Sequence, residues 1–503
     1  MKKIITLLLL LFIFTAAFSQ TKQQKKFVNW YNKDLKSDKV FGVSTEKSYK
    51  ELLKNKASKP VIVAVIDGGT DINHVDLKAN VWTNTKEIPG NGIDDDKNGY
   101  IDDIHGWNFI GNAKGENIGI DNFEVTRLYK ELDAKYKNAD PKTVADKKEY
   151  EYYIKVRDTY QKKYKEASSE SGMMKSGKEI KQADSIVKAY LKKDDYTEKD
   201  LKKLKKAPEM VSKSAEKLMV WMIFGIDPGD LVDYADQMSA DMDYHYNLNF
   251  DPRPLVGDDY KDNSNRFYGN NDVIGPDPGH GTFVAGEIGA VRYNKIGADG
   301  IADNVQLMIV RVVPDGDERD KDVANGIRYA IENGAKVINM SFGKSFSPQK
   351  KFIDEILPLA EKYDVLLVHA AGNDAENNDV VENYPTNIGP DGTPLTKNWL
   401  TVGASSMEPG NDLVAEFSNY GKKSVEVFAP GVDLWGLKPN NGYETASGTS
   451  MASPVVAGVA AVIRSYYPEL SAAEVKDIIM KSVTRVDDYV YQTTEENIRI
   501  KTT

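Results

Sequence analysis

Five short stretches are apolar almost without interruption: VQLMIVRVV (305–313), KVINMSFG (336–343), VLLVHAAGN (365–373), WLTVGAS (399–405) and VEVFAPG (425–431). The run VIVAVIDGG, which begins after Pro60, is of the same kind. A strand with one face in water alternates apolar and polar residues, whereas one covered on both faces need not, as in parallel sheets flanked by helices. Segments with helical spacing, such as 322–332 and 350–362, separate several runs. This alternation predicts an α/β fold with a mostly parallel sheet and helices on both faces. In such sheets, sites form beyond the carboxyl ends of the strands. Asp67, Ser341 and Asn373 each stand at or just past the end of a run, so they should gather along one edge.

Several residue types suited to acyl transfer have distinctive settings. Ser450, in GTSMASP, opens a helix of small residues whose free N–H groups and dipole favour negative charge. Gly448 leaves room for a substrate backbone, and Ala452, Ala457, Gly458, Ala460 and Ala461 suit deep packing. Pro454 is expected in the first turn, where a missing N–H is tolerated. Alone, this stretch could be a plain core helix. Of the five histidines, His280 lies between glycines in GHGTFVAG, a rigid and accessible mount for a base. His369, inside an apolar run, reads as a core histidine, and His74, His105 and His245 lack a comparable setting. Asp67 precedes Gly68-Gly69, where its carboxylate could orient an imidazole or cap a loop.

Taken together, VIVAVIDGGTDINHVDL, GHGTFVAG, NMSFG, AAGN and GTSMASP resemble the subtilisin-like serine proteases, the subtilase family (peptidase S8), in the same Asp, His, Ser order. The resemblance covers about residues 60–109 and 271–483. It implies a subtilisin-like three-layer fold and a secreted serine endopeptidase. Asp67, His280 and Ser450 would form its triad, with the Asn373 amide and the Ser450 N–H as oxyanion donors. Ser341, Phe342 and Gly343 would border the specificity pocket and pair with an extended peptide. A narrow processing protease, or a homologue that binds peptides and cleaves little, are the alternatives. Gly68 departs from the family, which usually carries Ser or Thr there.

In GIDDDKNGYIDDIHGWNF (92–109), Asp94, Asp96 and Asn98 alternate before Gly99, as at the front of a calcium loop. His105 stands where a glutamate usually closes such a loop, leaving Asp102 or Asp103 to complete the site. Structural calcium is the expectation, and a solvated acidic turn the alternative. Residues 127–220 form a Lys-, Glu- and Tyr-rich insertion between Asp67 and His280. Val156, Tyr160 and Tyr164 recur every four residues, and TEKD (197–200) marks a helix start. This insertion is expected to be largely helical. It could be a solvated hairpin, or a lid or exosite docked through LMVWMIFG (218–225).

The catalytic domain is expected over 59–485, with a polar tail over 486–503. Residues 1–19 read as a signal peptide, with two lysines, an apolar run and then small residues. A polar leader over 20–58 is too short for the family's usual compact propeptide. The absence of cysteine excludes disulfides, thiolate catalysis and cysteine metal sites. A net charge of −10 argues against nucleic acid as the main partner. No later run is long enough to span a bilayer. The expectation is a periplasmic or extracellular monomer without a stable membrane anchor, acting on proteins or peptides.

Overall fold

The computed structural model describes residues 27–503 apart from 170, 194–195, 224–228, 230–231, 233–235, 238, 411, 487–489, 494–498 and 503. Residues 1–19, read as a signal peptide, lie outside the described residues.

The apolar runs build one seven-stranded sheet in the order β2-β3-β1-β4-β5-β6-β7. Its strands are β1 (Val61–Asp67), β2 (Gly106–Asn108), β3 (Val305–Arg311), β4 (Val337–Met340), β5 (Leu366–Ala370), β6 (Trp399–Ser405) and β7 (Val427–Pro430). Every neighbouring pair is parallel. The insertion contains α1 (Glu124–Tyr136), α2 (Lys147–Ser169), α3 (Ser171–Leu191) and α4 (Glu209–Ile223). After it come α5 (Gly279–Gly289), α6 (Asp320–Glu332), α7 (Thr449–Tyr466) and α8 (Ala472–Ser482).

Successive side chains on a strand point to opposite faces, so each buried strand feeds two cores. Val61, Val63 and Val65 join Val305, Leu307 and Ile309 in a core shared with α5, α7 and α8. Ala64 and Ile66 join Met308 and Val310 in the other core, shared with α6. This is the expected three-layer arrangement. The helix expected over 350–362 is two short pieces, Lys350–Asp354 and Pro358–Lys362. Pro358 lacks an N–H and so begins a new helix rather than continuing the old one.

The insertion becomes helical at Glu124, slightly earlier than expected, and has cores of its own. Val125, Leu128 and Leu132 of α1 pack with Tyr153, Val156 and Tyr160 of α2. Tyr164, which shares their spacing, is instead 40% exposed and stacks on Tyr160. The TEKD segment is a capping box, with Thr197 and Asp200 satisfying each other's backbone N–H. Leu218, from the apolar stretch expected to dock the insertion, packs against α3 in a second core, while Val220 and Ile223 are exposed. Docking on the catalytic domain runs through α1 and α2.

Two end segments differ from the sequence reading. Within the leader, Trp30 and Tyr31 are fully buried in the core beneath α5 and α7. Trp30 Nε1 donates to Asp433 O at 3.1 Å, and Tyr31 Oη donates to Asp299 O at 3.0 Å. Isolated aromatics in a polar stretch carry no periodicity, so the pattern did not announce this docking. In the tail, Val490–Thr493 pairs antiparallel with Arg499–Thr502. No described helix is long and apolar enough to cross a membrane.

The leader's burial has a thermodynamic consequence. Trp30→Ala should destabilise the protein by about 3–5 kcal/mol, read as a fall in the urea or thermal midpoint. A leader merely draped on the surface would leave the midpoint unchanged.

Candidate active site

β1 and β4 are neighbours in parallel register, with Ile66 beside Met340. Asp67 and Ser341 therefore occupy adjacent positions where the two strands end. Each carries one half of the site.

On the β1 side, both Asp67 carboxylate oxygens accept from His280 Nδ1, at 2.8 and 3.0 Å. Oδ1 also accepts from Gly68 N at 2.7 Å. Asp67 is buried, whereas the His280 side chain is 43% exposed. The Asp67 bond fixes Nδ1 as the protonated nitrogen of the neutral ring and leaves Nε2 as the base. His280 starts α5, and that helix fits close to β1 because Gly281 has no side chain. A Cβ there would lie 2.1 Å from Gly69 O. Desolvation pulls the His280 pKa down, but the Asp67 charge and hydrogen bond, with a smaller contribution from Asp277, raise it overall.

Gly68, the departure from the family pattern, has its carbonyl held by Arg311 Nε at 2.7 Å. Arg311 ends β3 and is paired in register with Asp67. It also donates to Asn108 Oδ1 at 3.1 Å and to Ile118 O. Burial lowers its pKa to about 10.

On the β4 side, Ser450 is the second residue of α7. Its Oγ donates to Ser341 O at 3.1 Å, and Ser341 Oγ donates back to Ser450 O at 2.8 Å. Pro454 accounts for the second bond. The structure places it at the sixth helical position, not in the first turn as expected. With no N–H on Pro454, the Ser450 carbonyl loses its i+4 partner and is free to accept from outside the helix. Asn339 extends the junction, donating from Nδ2 to Ser341 Oγ at 2.9 Å and accepting from Ser453 Oγ at 2.6 Å. In this rotamer the Ser450 hydroxyl faces Ser341, not His280.

Asn373, just past β5, turns its Oδ1 to Thr449, accepting from the backbone N at 2.8 Å and from Oγ1 at 3.0 Å. Those bonds occupy Oδ1 and leave Nδ2 as the amide's donor. The Asn373 Nδ2 and Ser450 N converge on Gly448, lying 3.6 and 3.7 Å from the position a Cβ there would take. Thr449 thus orients the amide, a role the sequence reading did not identify although the residue lay within its motif. His369 is buried as expected, its Nε2 donating to Phe342 O at 2.8 Å. Burial lowers its pKa to about 4, keeping it neutral.

The acidic loop groups differently from the expectation. Carboxylate oxygens of Asp94 and Asp96 lie within 4.8 Å of each other and of an oxygen of Glu87. Glu87 had no spacing signal linking it to that motif. Asp102 instead accepts backbone N–H groups of Gly90, Asn91 and Gly92. Asp103 accepts from Asn84, Asn98 and Tyr329, and burial raises its pKa to about 6. The Asn98 side-chain carbonyl accepts from Tyr100 N at 2.8 Å. Asp102 and Asp103 therefore sit beside the carboxylate group, and Asn98 adjoins it through its backbone N, which donates to Asp94 and Asp96.

A model of the subtilase family matches residues 58–497. The cell wall-associated protease of Bacillus subtilis is 34% identical over 242 residues, 48% of this chain and 25% of that protein. Subtilisin DY of Bacillus licheniformis is 36% identical over 217 residues, 42% of this chain and 73% of the relative. A thermostable alkaline protease of Halalkalibacterium halodurans is 32% identical over 301 residues, 58% of this chain and 76% of the relative. The chain thus spans a quarter of the first relative and about three quarters of the other two. A solved cold-adapted subtilisin-like serine proteinase is 28% identical, with a TM-score of 0.36 over 46% of this chain and 74% of its own.

The electrostatics of the Asp67–His280 pair can be read directly by NMR. The His280 imidazole should titrate above the ordinary value of about 6.5. In Asp67→Asn it should titrate below that value, because desolvation then acts without the compensating charge. The stabilisation from the wild-type pair is complete below about pH 6.5 and is lost as pH rises through the folded pKa.

Proposed function

This chain belongs to the subtilase family, and we propose that it is an exported serine endopeptidase whose triad is Asp67, His280 and Ser450. Residues 1–19 serve as its export signal in this reading. The observation that carries the proposal is the pairing of Asp67 with His280 at the end of β1, beside a helix-mounted Ser450 bonded to the end of β4.

The reaction begins with a peptide laid along Ser341–Gly343. A turn about the Ser450 Cα–Cβ bond takes Oγ from Ser341 O to His280 Nε2, which accepts its proton as Oγ attacks the scissile carbonyl. Negative charge develops on the carbonyl oxygen near Asn373 Nδ2 and Ser450 N, and Asp67 stabilises the imidazolium. His280 gives its proton to the departing amine. Water then enters, loses a proton to His280 and hydrolyses the acyl ester.

Ser450→Ala should abolish labelling by a fluorophosphonate and lower kcat by roughly 10⁶-fold. Persistent labelling or hydrolysis would reject Ser450 as the nucleophile. Thr449→Val, which removes one bond to the Asn373 amide, should lower kcat more than it changes KM.

We also propose that Glu87, Asp94 and Asp96 hold a structural calcium ion. Hard carboxylate oxygens suit that cation, and no lysine or arginine forms an ion pair with these three residues among those described. When bound, the ion would contribute cross-linking of the loop and no bond chemistry. At 100 times the dissociation constant, calcium should stabilise the fold by about 2.7 kcal/mol. This would appear as a higher thermal midpoint, lost with chelator and in Glu87→Gln.

A further inference from the structure

Arg311 ends β3, the strand that lies between β1 and β2 in the sheet. By alternation its side chain leaves on the face of Leu307 and Ile309, the one that α5 covers. It is 1% exposed, and every oxygen it binds is uncharged. Nη1 reaches Asn108 Oδ1 at the end of β2, Nη2 reaches Ile118 O, and Nε reaches Gly68 O just after β1. Asp272 and Asp277 act on it only from further away. A cation buried without an ion pair costs stability, so these bonds stabilise the fold less than their number suggests. What the planar fork supplies is direction, because its donors point along fixed lines. Room is made for it at Gly275, where a Cβ would lie 2.3 Å from Arg311 Nε. Its anchor is fixed in turn, since Asn108 Nδ2 donates to Asn117 Oδ1 at 2.7 Å and to Asn270 Oδ1 at 3.1 Å.

The turn it grips carries the acid and seats the base. Val312 N and Val313 N donate to Asp67 O at 3.0 and 3.3 Å, which fixes the peptide plane between Asp67 and Gly68. The N–H of that same peptide donates to Asp67 Oδ1. Arg311 fixes the next plane, between Gly68 and Gly69, through its carbonyl. Gly68 has no side chain to restrict the dihedrals between the two planes, so each plane needs its own restraint. A larger residue there would be crowded, because a Cβ on Gly68 would lie 3.1 Å from Val313 O. The second plane is also where α5 rests. Gly281, next to His280, packs on Gly69 O, and Asp71 N donates to Thr282 Oγ1 at 2.7 Å.

We propose that Arg311 is a positioning residue for the triad, holding the Gly68–Gly69 peptide so that the Asp67 carboxylate and the His280 imidazole keep their 2.8 Å bond. This inference rests on the triad reading above and adds to it a residue that touches neither substrate nor the reacting atoms. It also accounts for a glycine directly after Asp67. The restraint on this turn comes from the neighbouring strand, not from a side chain at position 68. A misplacement of about 1 Å can lower a rate a hundredfold. Peptide binding along Ser341–Gly343 belongs to the β4 side and does not depend on Arg311, so the loss should fall on kcat.

The test compares full-length Arg311→Met and Arg311→Lys with the wild type by His280 titration in NMR, by kcat and KM on an internally quenched peptide, and by thermal midpoint. In Arg311→Met the His280 pKa should fall back towards the ordinary value of about 6.5. Its kcat should drop by roughly ten- to a hundredfold with little change in KM. Arg311→Lys keeps the charge but loses the fork, so both readouts should lie between those of Arg311→Met and the wild type. It carries the test by itself where the methionine variant does not fold. A lower midpoint with the His280 titration and kcat unchanged, in any variant that folds, would overturn the proposal and leave Arg311 a purely structural residue. A fall in kcat with the His280 titration unmoved would overturn it too. A wild type that cleaves no peptide would instead overturn the endopeptidase reading, and the His280 titration would then decide the positioning role alone.

Discussion

Two hydrogen bonds of opposite sense between Ser341 and Ser450 lock the first turn of α7 to the end of β4. The bond to the Ser450 carbonyl depends on Pro454. A residue that weakens a helix by lacking an N–H here releases the carbonyl of the reactive serine to a neighbouring strand. The alignment of Asn373 follows, because Thr449, the residue before Ser450, supplies both donors to its Oδ1. On the adjacent strand, Asp67 sets the imidazole. Three remote segments, α5, α7 and the turn after β5, thereby refer their positions to two neighbouring strand ends.

The attachment of α1 follows a different physical rule. Lys344, Glu124, Arg127 and Asp320 are all buried. Desolvation offsets much of the attraction in such a network, so its net contribution to stability is modest, while removal of one partner leaves a costly uncompensated charge. Charged contacts of this sort tolerate little displacement. They fix where α1 stands relative to the strand edge more tightly than an apolar contact of similar size would.

How much could be read in the chain beforehand depended on the range of the interactions. The sheet was legible because burial on both faces leaves continuous apolar runs, and those runs became β1 and β3–β7. Asp67, His280 and Ser450 stood out through their glycine and small-residue settings. Asn373 had its place after β5, but the turn of its amide required Thr449 to be seen in space. Glu87 and Lys344 were opaque for another reason. One meets Asp94 and Asp96 through the folding of a loop, the other meets Glu124 across 220 positions, and neither encounter leaves a periodic trace. Trp30 and Tyr31 were similarly silent within a polar stretch.

The burial of Trp30 carries an implication for biosynthesis. Its indole is satisfied by Asp433, 403 positions later, and Ser465 Oγ donates to Lys59 O across 406 positions. Contacts so distant along the polypeptide slow the search for the native state. An early-emerging segment cannot be completed until α7 and its neighbours have left the ribosome, so assembly of this core is necessarily delayed rather than progressive. During that interval an apolar surface destined for the interior stands open to solvent, a natural point of engagement for chaperones.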